Sequence, residues 1–363
     1  MTRISRRNHL ILSVLGSGAL LLTSGCSKKP PSAEGSSSAS ATSQTQPKAE
    51  PLTLQGAGAS FPAPVYSRWF REFSDQNPEL RVNYQSTGSG AGVKSFLENQ
   101  VDFGASDAAM TDGEIRQANG NVVMIPVTGG QIVLTYNLEG VSELRLSRDA
   151  YVGLFLGEIK RWNDGKIART NPGVKLPDTQ VTIVRRSDGS GTTFVFTQHL
   201  AAISEKWSKG PGVGKSVEWP AGVGGRKNDG VAALIRQTPG AIGYVEYSFA
   251  ASSKQPMAAL ENKAGKFIAP TLKASAAALG AVDLPADLRG WVTDPGGEES
   301  YPIVTYTWIL AKKNYEDKAR SAAVKKLLGW CLTEGQPLAE KLDYIALPER
   351  ALAKAQAAVA TIE

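Results

Sequence analysis

Histidine and cysteine are nearly absent, with two of each in 363 residues. Past position 26 only His199 and Cys331 remain. One cysteine cannot close an intramolecular disulfide, and no His/Cys/Asp cluster has the spacing of a metal site. A lone histidine, on a helical stretch beyond a glycine turn, also argues against a serine–histidine relay. Ser89 and Ser190 do sit in glycine-rich turns, but Thr87 and Asp188 stand where a Gly-x-Ser-x-Gly elbow needs its first glycine. The chain has no Gly-x-x-x-x-Gly-Lys-Ser/Thr phosphate loop. It also lacks a Lys/Arg run interleaved with aromatics, so nothing points to nucleic acid. Together these absences leave a protein that holds a ligand without transforming it. No enzymatic activity, metal or cofactor is expected. Cys331 lies in the helix-like stretch Val324–Leu332 and reads as a buried packing residue.

Long hydrophobic runs are missing too. The longest, Leu10 to Thr23, is too short for a membrane span and follows Arg3, Arg6 and Arg7, the pattern of a signal peptide over residues 1–25. It ends at Leu22-Thr23-Ser24-Gly25-Cys26, which resembles a bacterial lipobox with Thr23 where Leu is usual. Cys26 is therefore the expected lipidation site, with an ordinary signal peptide cut nearby as the alternative. Ser5-Arg6-Arg7 with Leu10 resembles a twin-arginine signal, so that route and the general secretory route both stay open. Removing the three arginines takes the formal charge from +6 to +3, so part of the basic balance belongs to the leader. Residues 26–51 are Ser, Ala, Pro, Gln, Lys and Glu with almost nothing apolar, and read as a flexible tether. Such a coil of about 25 residues reaches roughly 25–30 Å. The expected location is outside the cytoplasm, periplasmic or at the cell surface, anchored to a membrane by lipid.

The rest of the chain is rich in glycine. Apolar strand-like runs alternate with helical patterns, the α/β signature. Three of the strands run into Gly/Ser segments that open a helix: Gly56–Pro62, Ser86–Gly92 and Asp188–Thr193. A helix start presents unpaired N–H groups and a partial positive charge, and glycine lets the backbone approach an anion. In an open α/β sheet such turns gather at the carboxyl ends of the strands. Arg186 adds planar, bidentate donors suited to a phosphate-type oxyanion, and Asp188 is placed to orient the guanidinium. Read singly, Ser60, Ser89 and Asp188 are equally good helix caps or turn residues.

Asp107 discriminates among anions. It follows the strand Val101–Ala105 at the edge that carries the glycine turns, whereas Asp102, at the far end, lies about 16 Å away and reads as a surface or turn carboxylate. A carboxylate in an anion site repels its ligand unless the ligand donates a proton. Phosphate and arsenate carry one; fully ionised sulfate does not. The donor set with Asp107 therefore favours phosphate over sulfate.

GAGASFPAP (56–64), VDFGASD (101–107), GEIKRW (157–162), RRSDGSGTTFVF (185–196), GAIGYVEY (240–247) and LDYIALP (342–348) together resemble the phosphate-binding protein family of the bacterial phosphate-specific ABC transporter. The resemblance implies a type II periplasmic binding fold, with two lobes and the ligand in the cleft between them. It implies a discontinuous first lobe, 52–126 plus 302–363, and a second lobe, 127–301. Matched motif to motif, it implies phosphate ligands Ala59, Ser60, Phe61, Ser89, Asp107, Arg186, Ser190, Gly191 and Thr192, with Asp188 behind Arg186. The family often has Thr at the place of Ser60, and the loop at Ser89 differs in detail. The implied partners are inorganic phosphate and the permease and ATPase of a phosphate transporter, engaged by a monomer.

Overall fold

A computed structural model describes residues 50–363; Cys26 and the rest of the leader and tether lie outside the described residues. The core is one mixed sheet of eight strands. In chain order they are β1 (Leu52–Gly58), β2 (Leu80–Ser86), β3 (Phe103–Ser106), β4 (Val123–Tyr136), β5 (Thr182–Arg186), β6 (Val223–Gly225), β7 (Ala241–Glu246) and β8 (Val304–Ala311). Their spatial order is β2-β1-β3-β8-β4-β7-β5-β6. β1, β2 and β3 run parallel, as do β7, β5 and β6, while β8 and β4 join the two groups through antiparallel pairs.

Strand register places the carboxyl ends. β4 is a single strand of 14 residues, where sequence reading expected Val122–Val127 and Gln131–Asn137 to continue across Gly129-Gly130. Its first part pairs with β8 as far as Gln131, and its second part pairs with β7 from Ile132. At the end of β3, Ser106 is level with Trp308 and, across it, with Pro126. At the end of β7, Glu246 is level with Ile132. The two parallel groups run in opposite senses, so their carboxyl ends face each other across Pro126–Ile132, about 20 Å of strand. Every turn that follows those ends is thereby aimed at one region. The late strand β8 lies between β3 and β4, so the C-terminal part of the chain completes the half built by β1, β2 and β3.

The helix Ala63–Gln76 buries Val65, Tyr66, Trp69, Phe70 and Phe73 on this sheet. Phe61, whose i, i+4 spacing with Val65, Trp69 and Phe73 predicts a place on that helix, lies in the turn before it and is fully buried. The next helix, Ser89–Leu97, buries Val93 and Phe96 and brings its backbone against the sheet at Gly92. A Cβ at Gly92 would stand 2.3 Å from Gly58 Cα and 2.9 Å from the carbonyl oxygens of Ala57 and Ala105. Rigid backbone on three sides cannot yield, so Gly92→Ala is expected to cost about 1–3 kcal/mol or more. The urea midpoint checks this. A change below about 0.5 kcal/mol would mean that the helix moves freely on the sheet.

Candidate functional site

Four helix starts meet at the facing strand ends. The turn after β1 carries Ala59, Ser60 and Phe61, all buried. Ser60 does not cap the following helix, whose N-cap is Pro62 with no side-chain bond. Its Oγ instead accepts from the backbone N–H of Asn228 at 3.2 Å and from Asn228 Nδ2 at 3.1 Å, across to the other half. The turn after β2 puts Ser89 in the first turn of its helix, behind the N-cap Gly88. Ser190 caps the helix Gly191–Ile203, accepting from Thr193 N at 3.0 Å. The fourth start, Lys227–Gln237 after β6, went unnoticed in the sequence, although Gly224-Gly225 before it follows the same pattern.

The starts are in contact. Gly90 N donates to Gly189 O at 2.9 Å, joining the second and third turns. A Cβ on Gly191 would lie 2.6 Å from Ser89 Oγ and 2.7 Å from Asp107 Oδ2. The start of the helix Gly191–Ile203 therefore abuts Ser89 and Asp107 directly. Further out, Lys215 of one half reaches Glu114 of the other at 2.7 Å.

Asp107 is neither a cap nor a turn residue. It is 1% exposed, and its Oδ1 accepts from Thr307 Oγ1 on β8 at 2.8 Å. Ser89 Oγ donates to its Oδ2 at 3.4 Å. Burial lifts the carboxyl to about 7, against the pull of Thr307, the Arg186 charge and Ser89. Thr307 could not be found from local sequence, since it lies 200 residues away on a strand that joins the sheet last.

Arg186 is equally buried, and Asp188 holds it side-on, with Nε at 2.8 Å from Oδ1 and Nη2 at 2.6 Å from Oδ2. Nη1 donates to Thr192 Oγ1 at 3.3 Å. Those bonds engage three of the five guanidinium N–H groups and leave two donors for an oxyanion. Burial pushes the Asp188 carboxyl up, but the guanidinium and the Lys227 N–H outweigh it and hold it below the usual carboxylate range. Lys227 takes a left-handed φ of 60°, costly for a residue with a Cβ, and its N–H bonds Asp188 Oδ1 at 2.9 Å. That turn aims the next residue, Asn228, at Ser60.

The site is thus built of backbone N–H, hydroxyl and guanidinium donors, with the Asp107 carboxylate set among them. A model of the PBP superfamily domain matches residues 35–334. The phosphate-binding protein PstS of Pasteurella multocida is 39% identical over 309 residues, covering 84% of this chain and 89% of that one. PstS3 of Mycobacterium bovis is 32% identical, with 97% of each chain covered. The chain belongs to the phosphate-binding protein PstS family of the PBP superfamily. A high affinity periplasmic phosphate-binding protein, solved with phosphate bound, shares the fold at a TM-score of 0.70 and 20% identity, covering 84% of this chain and 93% of that one. A substrate-binding protein from Clostridium perfringens, also solved with phosphate, gives 0.60 at 16% identity, covering 82% and 100%.

The residues set aside in the sequence fall elsewhere. Asp102 stands at the opposite end of β3, but it is a strap and not a free surface group: it accepts from Gln55 N at 2.7 Å and from Arg320 Nη1 at 2.9 Å. His199 is buried, its Nε2 2.9 Å from the Tyr151 hydroxyl, and burial with the Arg148 charge lowers it to about 3. Cys331 is buried and its thiol is pushed up. Among the described residues no His/Cys/Asp/Glu group could hold a metal, and no helix is long and apolar enough to cross a membrane.

One further carboxyl lies behind the site. Glu246 is fully buried and caps the helix Tyr247–Ser252, accepting from Ser248 N at 3.0 Å, with the Tyr344 hydroxyl at 3.2 Å. Burial raises it to about 8, with the Asp107 charge adding to the effect. Glu246 and Asp107 hold protons in the folded protein that the unfolded chain has released by mid-range pH. The folded state therefore binds more protons between about pH 4 and 8, and stability falls as pH rises through that window. For Glu246 the loss is on the order of 4 kcal/mol. In ligand-free protein, Glu246→Gln is expected to flatten the decline in urea midpoint between pH 5 and pH 8. Equal slopes for the variant and the wild type would mean that Glu246 does not carry the proton.

Proposed function

We propose that this chain binds inorganic phosphate outside the cytoplasmic membrane and delivers it to the permease of a phosphate ABC transporter. The family consists of solute-binding proteins, not enzymes. The proposed ligands are the Ala59-Ser60-Phe61 turn, Ser89, Asp107, Arg186 and the Ser190-Gly191-Thr192 helix start, with Asp188 fixing Arg186. The observation that carries the reading is a buried carboxyl, Asp107, in contact with a helix start and ringed by donors. An ionised Asp107 accepts a hydroxyl of hydrogen phosphate while the N–H and O–H groups take the remaining oxygens.

The two lobes of the reading are 52–126 with 302–363, and 127–301, each supplying donors from its own strand ends. Closure is favoured because contacts from both lobes exist only in the closed, liganded form. That form is what a permease, powered by its ATPase, would recognise. A lipid on Cys26 and the tether to residue 51 would keep a monomeric receptor near the membrane. Equilibrium dialysis with labelled phosphate, alongside incubation with a phosphate ester, tests the reading. Saturable one-to-one binding with no released product supports it. Turnover of the ester, or no binding, overturns it.

A further inference from the structure

The orientation of two site hydroxyls is not left to the ligand. Ser60 Oγ accepts two N–H groups, the backbone and Nδ2 of Asn228, at 3.2 and 3.1 Å. Thr192 Oγ1 likewise accepts two, Asn228 Nδ2 and Arg186 Nη1, each at 3.3 Å. A hydroxyl has two acceptor positions and one proton. With both acceptor positions filled by obligate donors, each hydroxyl has only its O–H left to offer. The amide of Asn228 is itself fixed, because its Oδ1 accepts from Glu246 N at 3.0 Å. A backbone N–H can only donate, so Nδ2 must face the two hydroxyls. Asn228 is fully buried, so water does not compete for these bonds.

We infer that Asn228 is a positioning residue that forces Ser60 and Thr192, one from each half of the sheet, to present protons and never lone pairs to the ligand. The chain Glu246 N–H, Asn228 amide, two hydroxyls makes this part of the closed site a donor-only surface. It leaves Asp107 as the carboxylate acceptor beside them. A ligand that brings several unprotonated oxygens and one proton fits that division. A ligand rich in hydroxyls does not, because the two fixed O–H groups cannot turn to accept. This inference rests on the proposed phosphate-binding role of Ser60 and Thr192, and its test keeps the two apart.

The experiment is a double-mutant cycle read by phosphate titration. Asn228→Ala and Asn228→Asp are each made in the wild type and in a Ser60→Ala/Thr192→Val background, with thermal melts confirming that every variant is folded. In the wild-type background Asn228→Ala is expected to weaken phosphate about tenfold, and Asn228→Asp more, since a carboxylate would draw both hydroxyl protons toward itself. In the background without hydroxyls Asn228→Ala should cost less than about threefold beyond it, while Asn228→Asp keeps only its charge repulsion and should lose less than it does in the wild type. Asn228→Asp keeps an acceptor for Glu246 N–H, so it reads the effect even if Asn228→Ala loosens the fold. Equal losses in the two backgrounds overturn the inference, because a structural or purely charge-repulsive role does not need the hydroxyls. No phosphate binding by the wild type would overturn the functional reading itself.

Discussion

Arg186→Ala weakens phosphate binding by about 3 kcal/mol, a hundredfold or more, while the protein stays folded. Arg186 is buried against the half-buried Asp188, and its guanidinium puts a full positive charge in direct contact with the donor set. Truncating it removes two charge-assisted bonds to the anion and leaves Asp188 facing the ligand uncompensated. Loss of one partner from a buried charge arrangement costs about 3–5 kcal/mol, because the other charge is left unpaired. Two variants divide that cost. Arg186→Lys keeps the charge without the planar fork and should fall between the wild type and Arg186→Ala. Asp188→Asn with Arg186→Ala should recover part of the affinity, since the unpaired carboxylate is gone. Titration calorimetry with phosphate measures all of them. An unchanged affinity for Arg186→Ala would remove Arg186 from the site.

Asp107→Asn is expected to collapse anion discrimination while leaving phosphate binding largely in place. In the wild type at pH 8 the carboxyl, at about 7 when buried, is mostly ionised and accepts a proton-bearing ligand. Sulfate offers no proton, so two negative oxygens would face each other out of water. Asparagine turns the amide N–H toward the anion, which suits sulfate as well as phosphate. The ratio of the two affinities should therefore narrow by about a hundredfold, the scale of one buried charged hydrogen bond gained by one ligand and lost by the other. The pH dependence follows with a definite sign. As pH falls through about 7, wild-type Asp107 takes up a proton and becomes a donor, so sulfate binding strengthens below that point. In Asp107→Asn sulfate binding should not vary over the same range. A wild-type sulfate affinity that is flat from pH 5 to pH 8 would show that Asp107 does not carry the titration.

Much of the site can be read from local sequence because it is built from short segments. Gly56–Pro62, Ser86–Gly92 and Asp188–Thr193 each place a strand end, a glycine turn and a helix start within a few residues, and such units declare themselves. Asp107 was legible for the same reason: it follows a strand by one residue. What escaped depends on register between distant strands. Thr307 reaches Asp107 only because β8 slots between β3 and β4. Asn228 had a visible signal, a fourth glycine pair before a helix, but its task lies in a bond to Ser60, 168 residues away. Ser60 itself shows the limit of a local reading. Its position invites a helix-cap assignment, and only the fold reveals that both its lone pairs are committed to Asn228. Glu246 belongs to GAIGYVEY, yet nothing in that motif says that its carboxyl is buried behind the cleft.

The central claim is that a donor cage with one carboxylate, Asp107, selects an oxyanion that carries a proton. Titration calorimetry of the wild-type protein with phosphate and with sulfate at pH 8 tests it most directly. Saturable one-to-one heat for phosphate is expected, with sulfate weaker by about a thousandfold or more. Sulfate binding as tight as phosphate would contradict the claim.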